Sequence, residues 1–123
     1  MTQEVFSATG ALFGGLAVIF GAFGAHLLRK KLTSEQLISF ETGIKYQIYH
    51  GIALLAIGTS PKVVPSFIYY CFTLGIILFS FSIYGLVLTD AFGKKLKLLG
   101  PVTPIGGLLL VLGWALLFIQ FLG

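Results

Sequence analysis

Charge is scarce in this chain and cysteine is nearly absent. Only 10% of its 123 residues are Asp, Glu, Lys or Arg, against 57% hydrophobic, and the mean hydropathy is +1.00. So few charges cannot solvate the outside of a compact soluble domain, which excludes that class and points to an integral membrane protein. The single cysteine, Cys71, lies inside an apolar run and excludes both a disulfide framework and a thiolate metal site. The two histidines have no Asp, Glu or Cys at ligand spacing within the apolar runs, so no metal and no cofactor are expected. Nor does any nucleophile precede recognisable partners, and the chain is not expected to be an enzyme.

The net charge of +4 comes from clusters at 29–31 and 94–97 rather than from a spread basic face. No nucleic-acid motif accompanies them, and an anionic bilayer surface is the partner they suit. No soluble substrate is implied.

What the chain does have is long apolar runs. A helix of about 20 residues crosses a hydrocarbon core about 30 Å thick, and four such helices use nearly all of the sequence. The expected fold is an all-α membrane protein of one domain, residues 1–123: a four-transmembrane-helix bundle with spans at about 5–28, 46–60, 66–89 and 98–121. The first span imitates a signal peptide, because Ala22-Phe23-Gly24 has the small residues of a cleavage site. Its flanks argue for a retained span, since Glu4 precedes the core and Arg29, Lys30 and Lys31 follow it.

Between spans one and two the pattern changes. Thr33 and Gln36 have capping-box spacing, and Leu37, Phe40, Ile44 and Ile48 form one stripe opposite Glu35, Glu41, Thr42 and Lys45. This predicts an amphipathic helix over 33–46, lying at the membrane surface and running or bending into span two. Glu41 and Lys45 are in the favourable i,i+4 order for a solvated pair.

Seven basic residues, Arg29, Lys30, Lys31, Lys45, Lys94, Lys95 and Lys97, fall in or beside connections one and three, and Lys62 alone lies on the other side. The positive-inside rule then puts those connections in the cytoplasm and both termini outside, in the plasma (cell inner) membrane.

Small residues recur at helical spacing. Gly10, Gly14, Gly21, Gly24 and Ala25 in span one, with Gly106 and Gly107 in span four, are expected to let helices approach closely. Polar residues converge on one leaflet: at about 1.5 Å per residue, His50 lies near the midplane, with Tyr46 one turn further in. Ser80, Tyr84, Thr103 and His26 reach similar or shallower depth from the other spans, and a single polar network around His50 is the expected arrangement.

Five ordered motifs, GAFGAH at 21–26, Tyr46 with His50, LFSFSIY at 78–84, TPIGG at 103–107 and Gly113-Trp114, carry a resemblance. The chain resembles the family catalogued as domain of unknown function 423, which includes transmembrane protein 256 of animals. That resemblance implies a small four-span membrane protein and supplies no catalytic residue. Phe81 departs from it, standing where a small residue is expected between the two serines.

Two functions remain in view. One is an interaction or accessory protein that packs with itself, as a homo-oligomer, or with larger membrane proteins. The other is a small transporter or pore with a cytoplasm-facing polar pathway around His50. Outward from His50 the second span reads GIALLAIG, with nothing to line a pathway, and this favours the interaction reading.

Overall fold

The computed structural model describes residues 2–123, which form four helices and, among the described residues, no strand. Helix α1 is Gln3–Leu28, α2 Ser34–Gly58, α3 Ser66–Ala91 and α4 Val102–Leu122, the last preceded by a 3₁₀ turn at Lys97–Leu99. Three segments are long and apolar enough to cross a membrane: Gln3–Leu28, Ser66–Ala91 and Lys97–Leu122. Helix α2, at 25 residues and so about 37 Å, matches them in length. Composition sets it apart, because its first half carries Glu35, Glu41 and Lys45.

No break separates the segment read as amphipathic from the one read as span two. They are one helix. Its start is the capping box read from the sequence, with Thr33 N donating to Gln36 Oε1 at 2.9 Å and Gln36 N to Thr33 Oγ1 at 3.1 Å. The apolar stripe explains the continuity: Phe40 is buried against Tyr84, with Leu37 and Ile44 beside it, so the first half of α2 docks on α3 rather than lying apart.

The helices run up and down in turn. At one end Gln3 Nε2 donates to Ile57 O at 2.9 Å, Val64 N to Gln3 Oε1 at 3.2 Å and Gln120 Nε2 to Val63 O at 3.3 Å, which gathers both chain ends around the α2–α3 turn. At the other end Gln36 Nε2 donates to Asp90 Oδ2 at 2.9 Å, and Lys31 lies over the Phe92 ring. The seven basic residues belong to this second half of the molecule, and Lys62 to the first.

Helix α3 is the hub. In its most apolar stretch 44% of residues are buried, against 17% in α1 and 22% in α4. Helix α1 packs along α2, and α4 along α3, whereas among the described residues α2 and α4 share no close helix packing. The larger core joins Phe6, Phe13, Leu54, Ile68, Phe72 and Leu110; a second cluster at the basic end joins Ala25, Leu32, Phe40, Tyr84 and Val87.

Two helices widen locally into π turns, at Phe20–Gly24 in α1 and Ile77–Phe81 in α3. The second has a visible purpose. Phe72, Ile76, Ser80 and Tyr84 are all buried at a spacing of four, and twelve residues of regular α-helix would rotate the last away from the first by about 120°. A wider turn takes up part of that rotation and keeps Ser80 and Tyr84 facing α2. Phe20 and Phe81, one from each π turn, meet edge to face at 6.4 Å. This is the aromatic that replaces a small residue in the motif, and it fills space between α1 and α3.

The glycines expected to mediate packing divide into three kinds. At Gly10 an added Cβ would lie 2.5 Å from Gly51 O, and at Gly106 it would run into the backbone of Leu78 and Phe79. Gly21, Gly24 and Gly107 would make ordinary contacts at 3.5, 3.7 and 3.6 Å, and Ala25 is buried. Gly14 has nothing within 4 Å of its own Cβ position, which points away from α2, while its backbone N lies 3.2 Å from the Cβ position of Gly51, so it serves the α1–α2 contact through its backbone.

Candidate polar site inside the bundle

The polar residues come together by helix rather than around one centre. Gln47 is fully buried on the stripe that carries Phe40, Gly43 and Leu54. Its Oε1 accepts from Tyr84 Oη at 2.7 Å, and its Nε2 donates to Phe13 O at 2.9 Å. One side chain of α2 thus ties α3 to α1. One turn toward the basic end, Ser80 Oγ donates to Gly43 O at 2.7 Å, a contact possible only because Gly43 brings the α2 backbone bare to the α3 surface.

His50 belongs to a different interface. Its Nδ1 is 2.6 Å from Tyr46 O, and its Nε2 accepts from Trp114 Nε1 at 2.9 Å. A carbonyl only accepts and an indole N–H only donates, so the pair fixes the neutral ring with its proton on Nδ1. The imidazole lies between Phe72, at 5.8 Å, and Trp114, at 5.7 Å, with the Tyr46 ring stacked at 6.1 Å. His50 bridges α2 to α4 across the gap where those helices do not pack.

The single network expected around His50 is therefore corrected to separate hydrogen-bonded sets. Tyr46 contributes its carbonyl rather than its hydroxyl, and the residue is 41% exposed. Thr103 pairs with Ser82 at 2.6 Å, at the α3–α4 contact. His26 and Glu41 are exposed and join none of these sets. The physical reason is azimuth: Gln47 and His50 are three residues apart and diverge by about 60° around α2, one toward α1 and α3 and the other toward α4.

Gln47 and Trp114 are the two polar partners absent from the expected network, although Trp114 stands in the Gly113-Trp114 motif. A signal existed for Gln47, which continues the i, i+3, i+4 series of buried positions on α2. Among the described residues no group of three or more His, Cys, Asp or Glu is placed to hold a metal.

A direct check follows from the His50 geometry. His50→Phe keeps an aromatic in place but removes the acceptor of Trp114, and should destabilise the bundle by about 1–3 kcal/mol. His50→Gln, which offers an acceptor, should recover part of that loss, and Trp114→Phe should cost less than His50→Phe. Thermal unfolding in detergent reads all three; equal midpoints for the parent and His50→Phe would remove the bond from the account.

Apolar helices of membrane-crossing length, packed through glycine and held by buried polar pairs, define a small helical membrane protein. The family described as protein of unknown function (DUF423) matches residues 20–107. The UPF0382 membrane protein of Staphylococcus saprophyticus is 40% identical over 120 residues, covering 95% of this chain and 96% of its own. Its counterpart in Staphylococcus aureus strain bovine RF122 is 42% identical over 120 residues, 95% and 94% of the two chains. That of Staphylococcus haemolyticus is 38% identical over 121 residues, 96% and 95%. No solved structure matches. This chain belongs to the DUF423 family, and its motif segments GAFGAH and LFSFSIY are the segments that overlap the two π turns.

Proposed function

We propose that the protein is an accessory membrane protein, a four-span bundle with both termini outside the plasma membrane, which assembles with itself or with larger membrane proteins. The observation that carries this reading is the second glycine face of α1. Gly10 is used inside the bundle against α2, whereas Gly14 and Gly15 have nothing within 4 Å of their Cβ positions, and Ala11 beside them is exposed. A small-residue face open to the membrane suits the close approach of another helix. The interior, by contrast, offers little to a passing solute, since Gln47, His50, Ser80 and Ser82 all have hydrogen-bond partners within the fold. The four-span reading counts α2 as a span whose polar first half is covered by α3, and the orientation rests on the distribution of Lys and Arg.

One set of single-cysteine variants on a Cys71→Ser background tests assembly and orientation together. Cysteine at Ala11 should crosslink in membranes to a second copy or to a larger protein, and Gly15→Leu should abolish the product without changing the melting point. Cysteine at Lys62 should react with an impermeant reagent from outside, and cysteine at Lys95 only after permeabilisation. No crosslink at Ala11 under any oxidant would remove the assembly reading, and the reverse labelling pattern would invert the orientation.

A further inference from the structure

The gap between α2 and α4 is hollow at both ends. At the basic end lies a cavity of about 540 Å³, within the range of small-molecule sites. Ile83, Leu86 and Val87 of α3 make its apolar floor; Ser39 and Thr42 of α2 stand on one wall, and Glu35, Asp90 and Lys95 bring charge to its lining. At the other end a second hollow of about 360 Å³ is lined mainly by apolar residues, Ala53, Ala56, Leu117 and Phe121 among them, with Trp114 at its edge. Between the hollows the gap is filled, by the Tyr46 ring against Phe79 with centroids 4.7 Å apart and by the His50–Trp114 bond; this side of the bundle thus changes from charged to apolar along its length. Thr103 borders the first hollow and Trp114 the second, and the rise from one to the other is about 16 Å along α4.

A site with a charged mouth and an apolar run of this length matches an amphiphile, and its charges narrow the head group. The end of the molecule is basic, but the cavity itself carries two carboxylates against one ammonium. Asp90 is held in place by Gln36, which donates to one of its carboxylate oxygens at 2.9 Å and leaves the other for a ligand. Thr42 Oγ1 donates to Ile38 O at 3.0 Å, so toward the cavity it can only accept. Carboxylates and an accepting hydroxyl call for a donor with several N–H groups, which a primary ammonium supplies and a quaternary one does not. Lys95, the Ser39 hydroxyl and the second N–H of Gln36 Nε2 are the donors left for an anionic oxygen. A head group that is only anionic would meet Glu35 and Asp90 with like charge.

We propose that this cleft seats one phospholipid of the ethanolamine class, its ammonium between Glu35, Asp90 and Thr42, its phosphate on Lys95 and Ser39, and an acyl chain laid over the Tyr46 and Phe79 rings toward Trp114. The proposal rests on the reading of α2 as membrane-embedded. It does not require the α1 face to bind a partner, so a failed crosslink at Ala11 leaves it standing.

The chain contains one tryptophan, and it lines the second hollow. The full-length protein in nonionic detergent is titrated with ethanolamine, choline or glycerol phospholipids that carry brominated acyl chains, and Trp114 fluorescence is read as bromine quenches it. The ethanolamine lipid should reach half-quenching at a mole fraction at least tenfold below the other two. The double variant Glu35→Gln with Asp90→Asn should erase that preference, and Lys95→Gln should raise the half-quenching mole fraction of the ethanolamine lipid at least fivefold. All of these residues are exposed, and melting points equal to the parent's separate lost recognition from lost fold; should the double variant unfold, Lys95→Gln decides alone. Equal quenching by the three lipids would mean an unselective lipid ring, and strongest quenching by the glycerol lipid would mean charge attraction to the basic loops. Displacement of the ethanolamine lipid by soluble phosphoethanolamine at equal concentration would mean a site for a soluble ligand. Each of these overturns the proposal.

Discussion

Adding one methyl group at Gly106 lowers the stability of the bundle by about 3 kcal/mol, the upper part of the range for overpacking. The Cβ of an alanine there would lie 2.5 Å from the carbonyl carbon of Leu78 and 2.8 Å from Phe79 Cα. These are backbone atoms of the α3 π turn, and they cannot rotate aside as a side chain does, so α4 must move away from α3. Displacing α4 also stretches the Trp114–His50 bond and opens the Leu110 contact with α3. Gly107 is the internal control. It is the next residue on the same helix, and its Cβ would meet only the Phe79 ring, at 3.6 Å. Gly107→Ala therefore gains helix propensity of up to about 1 kcal/mol at no steric cost. Thermal unfolding of the two purified variants should show a large drop for Gly106→Ala and none for Gly107→Ala. Equal midpoints would mean that α3 and α4 are further apart than described.

The up-and-down order of the helices was legible because apolar length and the Lys and Arg asymmetry both depend on chain order alone. The start of α2 was legible too, since Thr33 and Gln36 cap each other locally. The continuity of α2 was not. Its two halves differ in polarity, and only the fit of Phe40 against Tyr84 shows that the polar half has a neighbour. Depth along a helix follows from counting residues, so the level of His50, Ser80 and Tyr84 could be read. Rotation about the helix axis is set by packing, and it separated His50 from the other two. The π turns arise the same way: they are the backbone's answer to a four-residue repeat of buried positions in α3, visible in retrospect at Phe72, Ile76, Ser80 and Tyr84. The role of Gln47 was not legible, because only the fold brings Tyr84 Oη and Phe13 O to the two ends of its amide. In a dry interior a neutral amide with two partners is as consequential as a histidine.

Gln47→Leu should be the most damaging substitution of similar volume in the polar interior. The side chain is fully buried, and its two hydrogen bonds join α3 to α1 through α2. Phe13 O keeps capacity for its own helical partner, so its loss is modest. The Tyr84 hydroxyl loses its acceptor among Phe20, Phe40 and Phe81, whose ring centroids lie 5.3, 5.2 and 5.6 Å away. An orphaned buried hydroxyl costs about 1–3 kcal/mol. Tyr84→Phe alone orphans Gln47 Oε1 instead and should cost a similar amount, while the ring contacts remain. Removing both partners together replaces a polar pair by an apolar one of nearly the same shape, which can be close to neutral. The double variant Gln47→Leu with Tyr84→Phe should then be more stable than the sum of the two single losses predicts, with a coupling of about 1–3 kcal/mol. Unfolding of the four proteins in one detergent gives that coupling directly. Additive losses would show that Tyr84 and Gln47 stabilise the bundle separately, and that the bond between them does not tie α3 to α2.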